Sequence, residues 1–367
     1  MKRRNIFCIL WIAVGLLIFS SASAQRPFTK VVRVNALKTN DYGIQYTLPK
    51  TLLQFEIQYR EIQEKAGPYA KYASRYLGIN DSEVIKEDQA YYILDKVLVE
   101  GLGVPNKEHS HLVLFKQKTV APFVFLTEDG LICSINVEYT PEAVENQKSA
   151  SVVPVSNLPV INPQSLYTEE YLRAGSISKM AEVAAKNIYR IRESRQDILT
   201  GETENVPKDG EAMKIILNTL EAQEKVWTEL FTGSRKIVPK TTFQTLEPVA
   251  EMNKELLFRF SKHFGVVDKT DLSGSPIYIN LKDLKTVEIA PADPKRKAKE
   301  PESIVYNIPG KAELEVFNGN QRVLSTTVDI TQFGTTQILG TSVFEDKKTP
   351  IQVYFYPHIG AIRQIIQ

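Results

Sequence analysis

Leu53, Phe55, Ile57 and Tyr59 alternate with polar residues, the two-residue period of a strand with one buried face. Tyr91 to Val99, His111 to Phe115 and Val120 to Leu126 repeat that pattern, so residues 25–140 read as a strand-rich unit. One short helix interrupts it. Gly67-Pro68 opens this helix, proline being suited to a first helical position, and Gly78 closes it. Residues 141–167 carry Pro141, Pro154, Pro159 and Pro163 and hold no period, which reads as a linker or a chain laid over the surface.

The period then changes to 3.6. Thr168-Glu169-Glu170 signals a helix start, a capping hydroxyl followed by acids that the helix dipole favours. Ile177, Ala181, Ala184, Ile188, Ile191 and Ile198 keep one stripe that stops before Gly201. A second stripe, Met213, Ile216, Leu217, Leu220, Trp227 and Leu230, ends at Gly233. Two helices joined by about ten residues predict an antiparallel helical hairpin over residues 168–235. Arg195 and Glu224 fall on the two apolar stripes. With the helix ends level at the turn they would stand about 15 Å apart along the axis. The expected partners are therefore Glu211 for Arg195 and Lys186 for Glu224.

Residues 236–367 return to strands: Leu256 to Phe260, Ile277 to Asn280, Ile304 to Tyr306, Leu314 to Phe317, Val323 to Val328 and Ile351 to Tyr356. A Pro- and Lys-rich loop from Pro291 to Pro301 interrupts them. The predicted fold class is α+β, two strand-rich units with a central antiparallel helical hairpin. The two units also share spaced motifs, which suggests an internal duplication. Tyr46-Thr47-Leu48-Pro49 is answered by Tyr306-Asn307-Ile308-Pro309, and Leu77-Gly78 by Leu339-Gly340. The segment from Phe125 to Ile135 aligns without a gap to Phe355 to Ile365, each reading as strand, glycine turn, strand.

The first 24 residues change what composition means. Lys2, Arg3 and Arg4 precede a 14-residue apolar run from Ile6 to Phe19, and Ala22-Ser23-Ala24 offers small residues for cleavage before Gln25. Residues 1–24 are thus expected to be a signal peptide, since a membrane span needs roughly 20 apolar residues. Without them 42 basic residues face 43 acids, a net charge of −1, and no basic patch calls for nucleic acid. The expected mature chain has no transmembrane span, and Cys133 is its single cysteine, so no internal disulfide can form.

Candidate chemistry is sparse. His109-Ser110-His111 puts two imidazoles on one strand face, but a zinc site needs a third ligand, and His263 and His358 sit in no local motif. Ser176-Ile177-Ser178-Lys179 fits Ser-x-x-Lys, yet no Lys-Thr-Gly follows and Ser134-Ile135-Asn136 lies upstream, in the wrong order for an acylating enzyme. Tyr69, Tyr72 and Tyr76 recur at helical spacing, as residues that pack on a sheet with their hydroxyls in water would. Lys295-Arg296-Lys297-Ala298-Lys299 is flanked by acids and reads as a solvated loop. No catalytic, cofactor-binding or metal-ligating residue is assigned. Dispersed carboxylates remain open as a glycosidase pair, because such partners meet only in the fold.

Leu48-Pro49-Lys50-Thr51, Gly67-Pro68-Tyr69-Ala70-Lys71-Tyr72-Ala73, Ile191-Arg192-Glu193-Ser194-Arg195, Leu230-Phe231-Thr232-Gly233 and Leu257-Phe258-Arg259-Phe260-Ser261 resemble a family of exported Bacteroidetes proteins. That family is known as domain of unknown function 4831. The resemblance spans nearly the whole mature chain and implies a periplasmic or extracellular location, with no catalytic residues to carry over. The expected role is a non-catalytic binding or structural protein of the cell envelope, its partner an envelope protein or glycan. The alternative is an envelope hydrolase acting on glycan or peptidoglycan through a carboxylate pair.

Overall fold

Strand pairing extends the alternating segments well beyond the residues that alternate. The computed structural model describes residues 31–35, 43–114, 123–139, 158–202, 210–288, 303–340 and 351–367. The signal segment, the loop from Pro291 to Pro301 and most of the predicted linker lie outside the described residues. In chain order the strands are β1 (Val31–Asn35), β2 (Gly43–Lys65), β3 (Gln89–Leu114), β4 (Phe123–Thr127), β5 (Ile132–Ile135), β6 (Ser234–Leu246), β7 (Met252–Ser261), β8 (Gly265–Val267), β9 (Ser275–Asp283), β10 (Ser303–Asn318), β11 (Gln321–Gly340), β12 (Gln352–Tyr356) and β13 (Ala361–Ile366). The helices are α1 (Ala73–Leu77), α2 (Glu169–Leu172), α3 (Ile177–Thr200) and α4 (Gly210–Thr232).

The strands form three antiparallel sheets, ordered β1-β4-β5-β12-β13, β11-β10-β9-β7-β8 and β3-β2-β6. Leu53, Phe55, Ile57 and Val97 from one sheet meet Leu257, Phe258, Ile277, Ile279, Leu314 and Val316 from another, all of them buried. Strands from the two ends of the chain therefore share a core, and β5 pairs with β12 within one sheet. A second core joins Tyr46 and Leu48 of β2 and Ile304 and Val305 of β10 to Val124, Ile132, Val353 and Phe355. Past Tyr59 the buried positions of β2 become Ile62 and Glu64, on the opposite face of the strand.

Tyr91 to Val99 and His111 to Phe115 are not separate strands. β3 runs through Gly101-Leu102-Gly103-Val104-Pro105 because β2 pairs with it along that stretch. Gly103 is needed there, since a side-chain carbon would come within 2.4 Å of the His358 backbone. Ile304 to Tyr306 and Leu314 to Phe317 likewise merge into β10. β6 shows no fully buried position, so its apolar signal is weak; pairing with β2 over Leu53 to Lys65 holds it in the sheet.

The helix expected from Thr168 is two helices. Thr168 caps α2, accepting from the Tyr171 amide, and Ser176 caps α3, accepting from the Lys179 amide. The buried stripe of α3 begins at Ala181, and Ile177 is exposed. The tyrosine stripe packs on helices rather than on a sheet. Tyr69 and Ala73 join Tyr171, Ala184, Ile188, Trp227 and Phe231 in a third core, and the Tyr69 and Tyr171 hydroxyls bond to each other at 2.5 Å.

Two of the three motif pairs that align in sequence make matching contacts. The Thr47 amide donates to the Gly130 carbonyl and the Asn307 amide to the Gly360 carbonyl, both at 2.9 Å. Each long hairpin shifts register at its proline, between Thr47 and Pro49 and between Ile308 and Gly310. Ile44 pairs with Val113 as Ile304 pairs with Leu339. Leu77-Gly78 is not the counterpart of Leu339-Gly340: it ends α1, Gly78 adopting the left-handed conformation, whereas Leu339-Gly340 ends a strand. The two long hairpins differ at their tips: residues 66–88 separate β2 from β3, whereas only Gly319 and Asn320 separate β10 from β11.

Candidate functional site

α4 carries apolar and charged positions side by side. Trp227 and Phe231 are buried in the helical core, Trp227 standing edge-on to Tyr171 at 5.1 Å, and Ala222 is buried as well. Beside them run two adjacent rows at four-residue spacing, Glu221-Lys225-Glu229 and Glu224-Thr228-Thr232. Arg192 and Arg195, three apart on α3, face them. With Leu158 and Gly233 these residues line a groove of about 470 Å³.

Both arginines converge on one carboxylate. Arg192 Nε donates to Glu224 Oε1 at 2.6 Å, and Arg195 Nη1 lies 2.9 Å from Oε2. The Glu224 side chain is 15% exposed. This overturns the expected pairings, because Lys186 reaches Glu170 instead, at 3.3 Å. The expectation held the helix ends level, whereas the stretch from Thr200 to Gly210 can extend over roughly 30 Å, and the helices meet offset. Glu229 stands further along α4. Burial pushes its carboxyl above the ordinary glutamate value, against the pull of Lys225. The lining thus carries three cationic and three anionic side chains, with two guanidinium groups sharing one carboxylate at one end.

The other candidates resolve into structural roles. His111 packs its ring 5.6 Å from Tyr46 near the end of β3, and burial, then the neighbouring His109, holds its imidazole below the usual range. His263 lies in the β7–β8 turn and His358 in the β12–β13 turn. Among the described residues no three potential metal ligands come together. Ser176 spends its hydroxyl as a helix cap, and Lys179 reaches Glu182 at 2.7 Å. Cys133 is buried, its thiol pushed up to about 12 by desolvation. No described helix is long and apolar enough to cross a membrane. The cation run from Lys295 to Lys299 lies outside the described residues.

A second buried carboxylate, Glu64, is 5% exposed at the end of β2. Burial pushes it up, but bonds from Gln89 and Arg235 outweigh that and hold it below the usual range. It ties β2 to β3 and β6 and lines no groove residue's neighbourhood on α3 or α4. Sequence reasoning singled out Arg195 and Glu224 but missed Arg192 and Glu229. The available signal was the Arg192–Arg195 spacing opposite two acidic rows.

These features define an antiparallel β protein with a helical layer and a charged groove on that layer. The family model described as Domain of unknown function (DUF4831) matches residues 42–363, and the chain belongs to that family. No curated protein matches the chain, and no solved structure does.

Proposed function

We propose that the chain is an exported, non-catalytic binding protein of the bacterial cell envelope, periplasmic or extracellular, and that the α3–α4 groove is its binding surface. The observation that carries this reading is the shared carboxylate. Arg192 and Arg195 share Glu224, and the half-buried Glu229 lines the same groove. Charged groups so placed favour recognition of a charged partner. The signal features from Lys2 to Ala24 supply the export, and the resemblance supplies the Bacteroidetes setting. Tagged mature protein incubated with envelope extract should retain a partner protein or glycan, and the Arg192→Gln/Arg195→Gln double variant should lose it while keeping its helical circular dichroism. Equal retention by both proteins would remove the groove from the function. N-terminal sequencing should start at or near Gln25, and Met1 kept in a membrane fraction would exclude export by cleavage.

One observation favours a second reading, a hydrolase of glycan or peptidoglycan. Glu224, held in ion pairs, and Glu229, its carboxyl raised by burial, share one groove, and carboxylates in unlike surroundings suit base and acid roles. Turnover of peptidoglycan or polysaccharide that disappears in Glu229→Gln would establish it.

The architecture itself is read as a duplication. The paired amide contacts at Gly130 and Gly360 and the matched prolines support descent of β2–β5 and β10–β13 from one unit, with α3 and α4 as the later addition that carries the groove.

A further inference from the structure

The sheet β1-β4-β5-β12-β13 holds two hairpins of one design. Val124, Phe125 and Leu126 pair with Ile135, Ser134 and Ile132, and Val353, Tyr354 and Phe355 pair with Ile365, Gln364 and Ile362, each hairpin skipping one residue at the same step. The hairpins join head to tail. The outer edge of β5 takes β12, with Ile135 opposite Val353 and Ser134 opposite Tyr354. The equivalent edge of β13 carries no strand among the described residues. Exposure follows that difference: Ile135 and Ser134 are fully buried, whereas Ile365 is 50% exposed and Gln364 is exposed too. An open strand edge with apolar residues is a template for another strand.

We propose that this edge receives β4 of a second copy, so that copies add head to tail. Within the chain, β5 accepts β12, the strand equivalent to β4. The same pairing at β13 selects β4 of another molecule, because β12 is paired on both edges and the chain's own β4 lies beyond β5 and β12. The edge of β4 that this contact needs is held by β1. Val34 stands opposite Val124 and Arg33 opposite Phe125, as Ile135 and Ser134 stand opposite Val353 and Tyr354. By register, β1 is therefore a cap in the place of a second copy's β13. Its five residue pairs would be exchanged for those of Ile362 to Ile366, a swap of like backbone bonds. Residues 36–42 tether the cap to β2, at an effective concentration on the order of millimolar. Release of β1 is thus what opens the chain to assembly. A head-to-tail contact leaves one β13 and one β4 unused at the ends and grows beyond a dimer. None of the α3–α4 groove residues takes part.

The test is sedimentation and covalent capture of the full mature chain. At about 10 μM, far below the effective concentration of the cap, the unaltered chain should sediment as a monomer. Successive strand residues turn their amides to opposite edges, so Arg33→Pro/Val34→Pro removes one that faces β4. This variant should form dimers and longer species, and adding Ile365→Lys, a charge on the receiving edge, should abolish them. Capture leaves β1 unaltered. Phe125→Cys and Gln364→Cys chains, mixed and oxidised, should join in a mixed disulfide, because directly opposite strand residues lie within disulfide reach and Cys133 is buried. Gln364→Cys joined mainly to itself would mean that β13 pairs with β13 in a closed dimer, which overturns the proposal. A proline variant that melts cooperatively and stays monomeric overturns it too, as does the absence of the mixed disulfide. If the proline variant does not fold, the capture decides alone.

Discussion

The two long hairpins share a frame and differ at their tips. β10 turns into β11 through Gly319 and Asn320, with Asn318 paired to Gln321 and Gly319 at a φ of 59°. β2 instead leaves at Lys65 and returns at Gln89, and the residues between carry α1 and the start of the helical core. Opening a two-residue turn to some twenty residues costs roughly 2 kcal/mol in loop closure. Burying Tyr69, Ala73 and Val84 against α2, α3 and α4 offsets it. The difference teaches what the open tip supports: residues between β2 and β3 pack on the helical layer, and the charged groove lies on that layer.

The largest test of that contrast is Trp227→Ala. Trp227 is 3% exposed in the helical core, so the variant should lose about 3–5 kcal/mol in urea unfolding. A loss below about 1 kcal/mol would mean that the helices are a detachable layer and not part of the first hairpin's structure. The next compares equivalent positions. Asn307 is buried and donates from its amide to the carbonyls of Pro49 and Ile359 at 3.0 and 2.9 Å, so Asn307→Ala should cost about 1–3 kcal/mol through two orphaned acceptors. Thr47, its counterpart, makes only an exposed hydroxyl contact to Ser110, and Thr47→Ala should stay within about 0.5 kcal/mol. Equal losses would show that the two hairpins are not differently loaded.

The smallest effect is a pH dependence at the open tip. Glu64 has a folded-state carboxyl below its ordinary value of 4.5. Its stabilisation is therefore present above that value and lost as pH falls through the folded one. Glu64→Gln should flatten this acid limb of the stability curve. In the second hairpin, Glu315→Gln removes only the contact to an Arg322 that is 57% exposed, and should change stability by less than about 1 kcal/mol at neutral pH. An unchanged acid limb in Glu64→Gln would show that the tip contributes nothing through this carboxylate.

Much of the frame was legible because burial is periodic. The strands around Phe55, Phe258 and Phe355 and the ends of α3 at Gly201 and α4 at Gly233 follow from apolar spacing and glycine. The aligned motifs matched Thr47 with Asn307 and Gly130 with Gly360, but that each pair meets through an amide-to-carbonyl bond came from the fold. What escaped depends on partners distant in sequence. β6 exists through β2, the glycine-rich middle of β3 through its pairing, and the Arg192–Glu224–Arg195 cluster through an offset between helices that no local pattern encodes. Glu229 was hidden for another reason. Its character comes from desolvation, which a single residue letter does not carry.

Tyr46 makes a final consequence visible. Its hydroxyl donates to the Val305 carbonyl at 2.9 Å and accepts from the Val305 amide at 2.7 Å, standing in for a neighbouring backbone on β10. The two partners are 259 residues apart. Synthesis delivers the N-terminal strands first, yet β2 cannot complete its core until β10 has emerged. Contacts this distant slow folding, so most of the chain must wait in an extended, unsealed state. A fragment ending before β10 would leave Tyr46, Leu48 and the inner face of β4 in water, and it should be captured by a holdase chaperone or aggregate. Supplied in trans, residues 303–367 would be the piece that completes it.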